Sequence, residues 1–399
     1  MTVAHPIARA WLSTGGTGAQ NYDEFADDAE ITAIVTANPS SALGVEMPHR
    51  APESLGRTFG ESLPAAVARL AAAKAAGRYA PHEDVAALYR ITAPDGATAF
   101  GLWCMVGSDQ ISTSADEPGL VIRNEDVFPE KVRERVALAQ ATRHLLSPVL
   151  LLQTGRDSEL HAALSAVAAA IGVPVTSDVD GSGRTHEVWP LGPGEVRDRL
   201  LALAGGGELV VADGNHRSLA AQTAGLPRFL AVVTTSASVA IDPYNRLLSE
   251  VPADLVAALA AVGAAVEPLT GTVEVPSRSG AVHLYSRAGA WAVTLPRDGS
   301  AGVVDNLDHA LVERYLFERA LGLDPGDKRI TYVGGDYPAS WLRGEVDAGR
   351  AELAVLIAPV TVGDFVDVNL ARRKMPRKST WFTPKARAGL VVADLGAEG

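Results

Sequence analysis

Between Glu195 and Gln222 the chain reads as helix, glycine break, apolar strand, Asp-Gly turn and second helix, an order that restricts it to folds packing helices against a sheet. The pieces are a helix over Glu195 to Ala204, the break Gly205-Gly206-Gly207, a buried strand Glu208 to Ala212, and Asp213-Gly214 opening the next helix. The same grammar extends in both directions. Upstream, Leu63 to Ala76 and Pro129 to Leu146 carry helical periodicity, and Val85 to Thr92 with Ala97 to Val106 flank a Pro94-Asp95-Gly96 turn as a hairpin. The apolar run Pro148 to Leu152 leads to a helix over Ser158 to Ala170 and a strand over Val173 to Ser177. Downstream, strands are expected over Arg228 to Thr234 and Leu353 to Ile357, with a hairpin over Ala281 to Ser286 and Ala290 to Leu295. Helices are expected over Ala253 to Val262, Asn306 to Leu321, Ala339 to Ala348 and Val362 to Ala371, before a terminal strand near Leu390 to Val392. The first 60 residues, rich in Gly, Pro, Ser and Asp, suggest irregular backbone with one short β-like run, Ile31 to Thr36. The expected class is therefore mixed α/β of the α+β kind, in two parts, 1–236 and 237–399.

Composition supports a packed chain. Of 399 residues, 47% are hydrophobic and 21% charged, which excludes disordered, collagen-like and small disulfide-stapled classes. The longest nearly apolar run, Leu160 to Val175, is broken by His161 and Ser165 and is too short to cross a bilayer, so no membrane partner is expected. The start, MTVAHPIARAW, shows no basic segment followed by an apolar stretch, and a cytoplasmic location is expected. The single cysteine, Cys104, sits in the apolar run GLWCMVG and reads as core filler. A net charge of -12 argues against nucleic acid as a general partner and leaves room for a local basic site.

The sharpest segment is ELVVADGNHRSLAAQ, Glu208 to Gln222. A strand that turns at once into a helix leaves the first helical amides without intrahelical acceptors, which suits an anion. Gly214 allows positive φ or close backbone approach, and His216 and Arg217 add donors for phosphate oxygens. An ordinary strand-to-helix corner, with Asp213 as cap and Arg217 solvated, is the plainer alternative. A second segment, ARRKMPRKSTWFTPKARAG, holds Arg372, Arg373, Lys374, Arg377, Lys378, Lys385 and Arg387, with no acidic residue between Asp367 and Asp394. Pro376 and Pro384 bar a continuous helix, and Ser379 and Thr380 place hydroxyls beside Lys378, so a loop gripping a polyanion competes with a solvated basic surface. A third, Arg123 to Glu125 ahead of a helix opened by Pro129, carries mixed charge that also fits an ordinary exposed helix face. Gly15-Gly16-Thr17-Gly18 follows no strand and leads to no Gly-Lys-Ser/Thr, which rejects a Walker loop. The nine histidines show no zinc spacing, and no Gly-x-Ser-x-Gly or Gly-x-Gly-x-x-Gly appears.

These residues resemble a known family. ADGNHR, Arg123-Asn124-Glu125 with its helix and SPVLLL, the early NPSSALGVEMP, and MPRKSTWFTPKARAGLVV are similar to the motifs of the DUF1015 family, over about Asp28 to Leu395. Members typically show ADGHHR and MPPKSTYFYPK, so Asn215 replaces a usual histidine, and Asn124 stands where Arg-His-Glu is common. An amide still donates to phosphate but cannot act as a base. The DGHHR box in turn resembles the phosphate-gripping turn of the ParB/sulfiredoxin-like superfamily, which includes free-serine kinases.

That resemblance implies a phosphate-binding core with a C-terminal α/β extension, a nucleotide (ATP or ADP) with Mg²⁺, and a small hydroxyl substrate such as a serine-like amino acid. Alternatives are a non-catalytic nucleotide- or nucleic-acid-responsive module and a phosphate-ester hydrolase. Nucleotide contact is carried onto Asp213, Gly214, Asn215, His216 and Arg217, with Arg123, Lys378, Ser379, Thr380 and Lys385 converging on the same anion. Glu125 is the expected base, with His216 as a further catalytic candidate and Asp23 and Asp308 in reserve for base or metal.

Overall fold

The computed structural model describes residues 3–397 except 19, 23, 26, 113–118, 124, 126 and 325; the candidate Asp23 and the substituted Asn124 lie outside the described residues. The chain divides into two compact units, Met1–Val239 with Pro384–Gly399, and Ala240–Thr383. The C-terminal segment thus folds with the N-terminal part, whereas a linear division at 236 would keep it with the second.

The first unit is built on a curled mixed sheet. Its principal strands are β1 (Ile7–Ser13), β2 (Tyr79–Thr92), β3 (Thr98–Gly107), β4 (Val121–Ile122), β5 (Val149–Gln153), β6 (Thr185–Leu191), β7 (Leu209–Asp213) and β8 (Arg228–Thr234). Across the sheet the order is β4, β7, β5, β8, β3, β2, β1 and then the terminal strand Val391–Asp394. The pairs β4/β7 and β5/β8 are parallel; β7/β5, β8/β3, β3/β2 and β2/β1 are antiparallel. Four helices matter for the site: α1 (Phe59–Ala75), α2 (Pro129–Thr142), α3 (Asp157–Ala170) and α4 (Glu195–Ala204). A fifth, α5 (Asn215–Thr223), follows β7 directly.

Strand β5, VLLLQ, is buried along its whole length, as expected where both sheet faces are covered. One face presents Val149, Leu151, Val211, Val233, Leu102 and Cys104 to Leu160 and Leu164 of α3 and Leu200, Leu201 and Leu203 of α4. Cys104 is fully enclosed, and burial pushes its thiol up to about 12, which fits packing and not reactivity. The Gly205–Gly207 break has a steric reason: a Cβ on Gly207 would lie 2.9 Å from the Gly155 Cα.

Three expectations need correction. The Ile31 to Thr36 run is helical, within Asp28–Ala37, because the Asp27 carboxylate caps the Ala29 amide at 2.8 Å and the buried positions, Ile31 and Val35, are four apart. The N-terminal stretch is not wholly irregular: β1 pairs with β2 and with the terminal strand, so a strand does precede the Gly15-Gly16-Thr17-Gly18 run, its short alternation being followed at once by those glycines. α1 begins four residues before the expected Leu63, at a capping box in which Thr58 Oγ1 accepts the Glu61 amide and Glu61 accepts the Thr58 amide.

The second unit holds an antiparallel sheet in the order Ala265–Pro268, Gly289–Thr294, Val282–Ser286, Leu353–Ile357, Asn245–Leu248, Ile330–Val333. Leu353, Val355 and Ile357 pack toward Leu311 and Leu316, while Ala354 and Leu356 pack toward Leu342 and Val346. The helix expected over Asn306 to Leu321 is α-helical only over Asp308–Leu311 and continues as a π-helix over Val312–Ala320, a register that apolar periodicity does not distinguish.

Candidate anion site

Strands β4 and β7 run parallel, with Leu209 opposite Val121 and Val210 opposite Ile122, so their C-terminal ends lie on the same side of the sheet. β7 passes through Gly214 into α5, and β4 passes through Arg123 and Glu125 into α2. The N-cap residues themselves, Phe128 and Gly214, make no side-chain capping bond. The two starts are locked together: His216 Nε2 accepts the Phe128 amide at 3.0 Å, and the two rings are parallel within 8° at 5.9 Å between centroids. Two positive helix ends therefore sit side by side, with Arg123 and Glu125 in the segment between β4 and α2.

Gly214 adopts φ +99°, and a Cβ there would lie 3.0 Å from Arg217 Nε and 3.2 Å from the Val149 Cα. Only glycine fits that corner without strain. Asn215 is buried at the first helical position, and the first ladder bond runs from the Ser218 amide to the Gly214 carbonyl.

Arg217 differs from its expected role. Its guanidinium donates to the Asp213 carboxylate and to the Pro148 carbonyl, tying the turn to the start of β5. Asp213 and Arg217 lie four residues apart across the turn, close enough to pair with each other, so the fork joins parts of the fold where an outward grip was expected. Likewise the His216 Nε2 lone pair accepts the Phe128 amide.

Lys385 also belongs to the first unit and is buried, its Nζ 4.0 Å from Glu24. Beside it, Arg387 donates to Glu24 and, at 2.8 Å, to Asp180, whose carboxylate faces His186 Nε2 at 3.1 Å; His186 Nδ1 in turn meets the Tyr89 hydroxyl at 2.6 Å. Burial alone would raise the Asp180 pKa, but His186, Ser182 and Arg387 hold it far below the usual range. Burial keeps His186 below its ordinary value. Sequence reasoning placed no weight on Glu24, Asp180 or Tyr89; burial of a charge is invisible without the fold.

Lys378, Ser379, Thr380 and Asp308 lie in the second unit. Lys378 has positive φ, 52°, and its ammonium stands 5.7 Å from the centre of the Tyr244 ring; Ser379 is buried. Asp308 accepts the Gly280 amide at 2.9 Å and pairs with Arg297, and burial raises its pKa. These contacts join it to the Gly280 turn. Among the described residues no group of three or more His, Cys, Asp or Glu side chains could hold a metal, and Asp213 is engaged by Arg217. Among the same residues no helix is long and apolar enough to cross a membrane.

Among solved structures, a free serine kinase in complex with AMP is similar at 14% identity, over 72% of this chain and 92% of that one, with a TM-score of 0.40. A conserved hypothetical protein from Pyrococcus furiosus is 13% identical over 72% and 93%, with a TM-score of 0.39. C-terminally truncated SbnI from Staphylococcus aureus is 11% identical over 72% and 85%, at 0.40. No curated protein matches the sequence. The family model described as a protein of unknown function, DUF1015, matches residues 17–310, which together with the motifs at the β7–α5 corner means that the chain belongs to the DUF1015 family.

Proposed function

We propose that this protein binds a nucleotide and transfers phosphate from ATP or ADP to the hydroxyl of a small molecule such as a serine-like amino acid, on a core of the ParB/sulfiredoxin-like kind. The observation that carries this reading is the pair of helix starts joined by the His216 to Phe128 hydrogen bond. Two such ends favour a multiply charged anion more than either alone. Phosphoryl transfer asks mainly for charge neutralisation and positioning, which backbone amides and fixed cations can supply.

In this reading the backbone of Gly214 to Arg217 holds the phosphates, Arg123 clamps them and Lys385 adds charge. Arg217 acts through Asp213, by fixing the turn. Glu125 takes the proton of the acceptor hydroxyl as its oxygen bonds to the terminal phosphorus and the bond to the leaving phosphate oxygen breaks. No step is assigned to a protein-held metal.

The test has two stages. ADP or ATP at millimolar concentration is expected to raise the melting temperature, by mass action. Labelled phosphate is then expected on serine, threonine or homoserine, and Glu125→Gln is expected to keep the nucleotide shift while losing the transfer. No shift with any nucleotide would remove the whole reading; a shift without a labelled acceptor would remove only the transfer and leave a nucleotide-responsive module. Lys378→Ala and Lys385→Ala, compared in the same melting assay, assign the contribution of the basic stretch.

A further inference from the structure

A cavity of about 50 Å³ opens between α2, α5, β5 and β8. One water needs about 10 to 15 Å³, so this partly open space is several times that size. Its walls are mainly Leu138, Ala139, Leu146, Ala220 and Phe229. Its polar lining comes from Glu46 of GVEMP, Arg135 of the helix after Arg123, Ser147 of SPVLLL and Arg217 of DGNHR, together with His144.

The polar groups define what can enter. Glu46 Oε2 accepts Arg135 Nη1 at 2.6 Å and Oε1 accepts the Ser147 hydroxyl at 2.8 Å. Arg217 is matched by Asp213. Burial lowers the pKa of His144, the remaining titratable group on the wall, and favours its neutral form. Every charge at the cavity therefore has its counter-charge, and a ligand carrying a net charge would be desolvated without a partner. What the polar end retains is acceptor capacity: each Glu46 oxygen has a second lone pair, and Ser147 Oγ, having donated, can accept. A ligand suited to this space has an aliphatic body of a few atoms and one neutral donor.

We propose that this cavity, formed where Glu46, Arg135, Ser147 and Arg217 meet, is a binding site for a small neutral aliphatic alcohol of roughly three to five carbons. The hydroxyl lies toward Glu46 and Ser147, and the body packs against Ala220 and Phe229. Because Arg217 both lines the cavity and holds Asp213, occupancy bears directly on the geometry of the Gly214 corner.

The experiment is a methyl NMR titration of the full chain, labelled at Ala, Leu and Val, with 2-methyl-1-propanol and, separately, with the charged isosteres isobutyrate and isobutylamine. Saturable shifts confined to methyls such as those of Leu138, Leu146 and Ala220 are expected for the alcohol, with affinity at least about ten-fold weaker for the ions. Ala220→Leu, and independently Ala139→Leu, fill the space and are expected to abolish the response while preserving the far-ultraviolet circular dichroism. Non-saturating shifts spread over the molecule, an equal response to the carboxylate, or a saturable response surviving in either folded variant would overturn the proposal. No nucleotide is present, so the result is independent of the phosphate-transfer reading.

Discussion

His216 Nε2 accepts the Phe128 amide at 3.0 Å with the two rings nearly parallel, so one side chain from the start of α5 fixes the start of α2. The contact is exposed, and its removal should weigh more on ligand affinity than on stability. His216→Ala is expected to lower the unfolding free energy by only about 1 kcal/mol in urea titrations. The same variant is expected to lose most of the ADP-induced melting shift. A variant with an unchanged ADP shift would show that the paired helix ends do not make the anion seat.

Gly214 leaves no room for a side chain. Gly214→Ala forces a non-glycine residue to φ +99° and brings a methyl to within 3.0 Å of Arg217 Nε and 3.2 Å of the Val149 backbone. A loss of roughly 1 to 3 kcal/mol is expected in chemical denaturation, with the larger value if Arg217 is driven off Asp213.

Arg387 stands between two carboxylates in the interior, Glu24 and Asp180. Burial works against its charge, but Glu24 and Asp180 outweigh that and raise its pKa. Arg387→Met removes the guanidinium shared by both carboxylates and leaves Glu24 with only Lys385 at 4.0 Å as its cation, and a loss of about 3 to 5 kcal/mol is expected in equilibrium unfolding. Arg9→Ala, which breaks an exposed pair with Glu83, is expected to leave the midpoint near wild type.

Acid should destabilise the second unit through His309. This ring is fully enclosed, its Nε2 faces the Tyr244 carbonyl at 3.2 Å, and burial with Arg246 nearby lowers its pKa to about 3. The unfolded chain takes up this proton below about pH 6.5, while the folded protein resists it down to about 3, so stability is full above the first value and falls progressively toward the second. His309→Gln, which cannot take up a proton, is expected to flatten the fall in melting temperature between pH 7 and 4. An unaltered slope would assign the acid sensitivity elsewhere.

Most regular elements were legible because their signals are local. The β7–Gly214–α5 corner shows an apolar run, an Asp-Gly pair and a helical pattern within fifteen residues of one another, and the hairpin of β2 and β3 turns on Pro94-Asp95-Gly96. The Asp28–Ala37 helix was misread because its β-branched residues outweighed the single cap at Asp27, and the π-helix because hydrophobic spacing does not separate it from an α-helix. The DUF1015 membership was legible in the motifs, and the family match over residues 17–310 agrees with it.

The sequence by itself determined the mixed α/β class, the DGNHR corner and the absence of a second thiol, since each depends on neighbours in the chain or on composition. Tertiary structure alone decided that Arg217 turns inward to Pro148, that Glu46 meets Arg135 and Ser147 across separations of 89 and 101 residues, and that the C-terminal strand closes against β1. The physical reason is that a charged side chain's role follows from its burial and its counter-charge. Both are properties of the packed interior and leave no periodic trace in the order of residues.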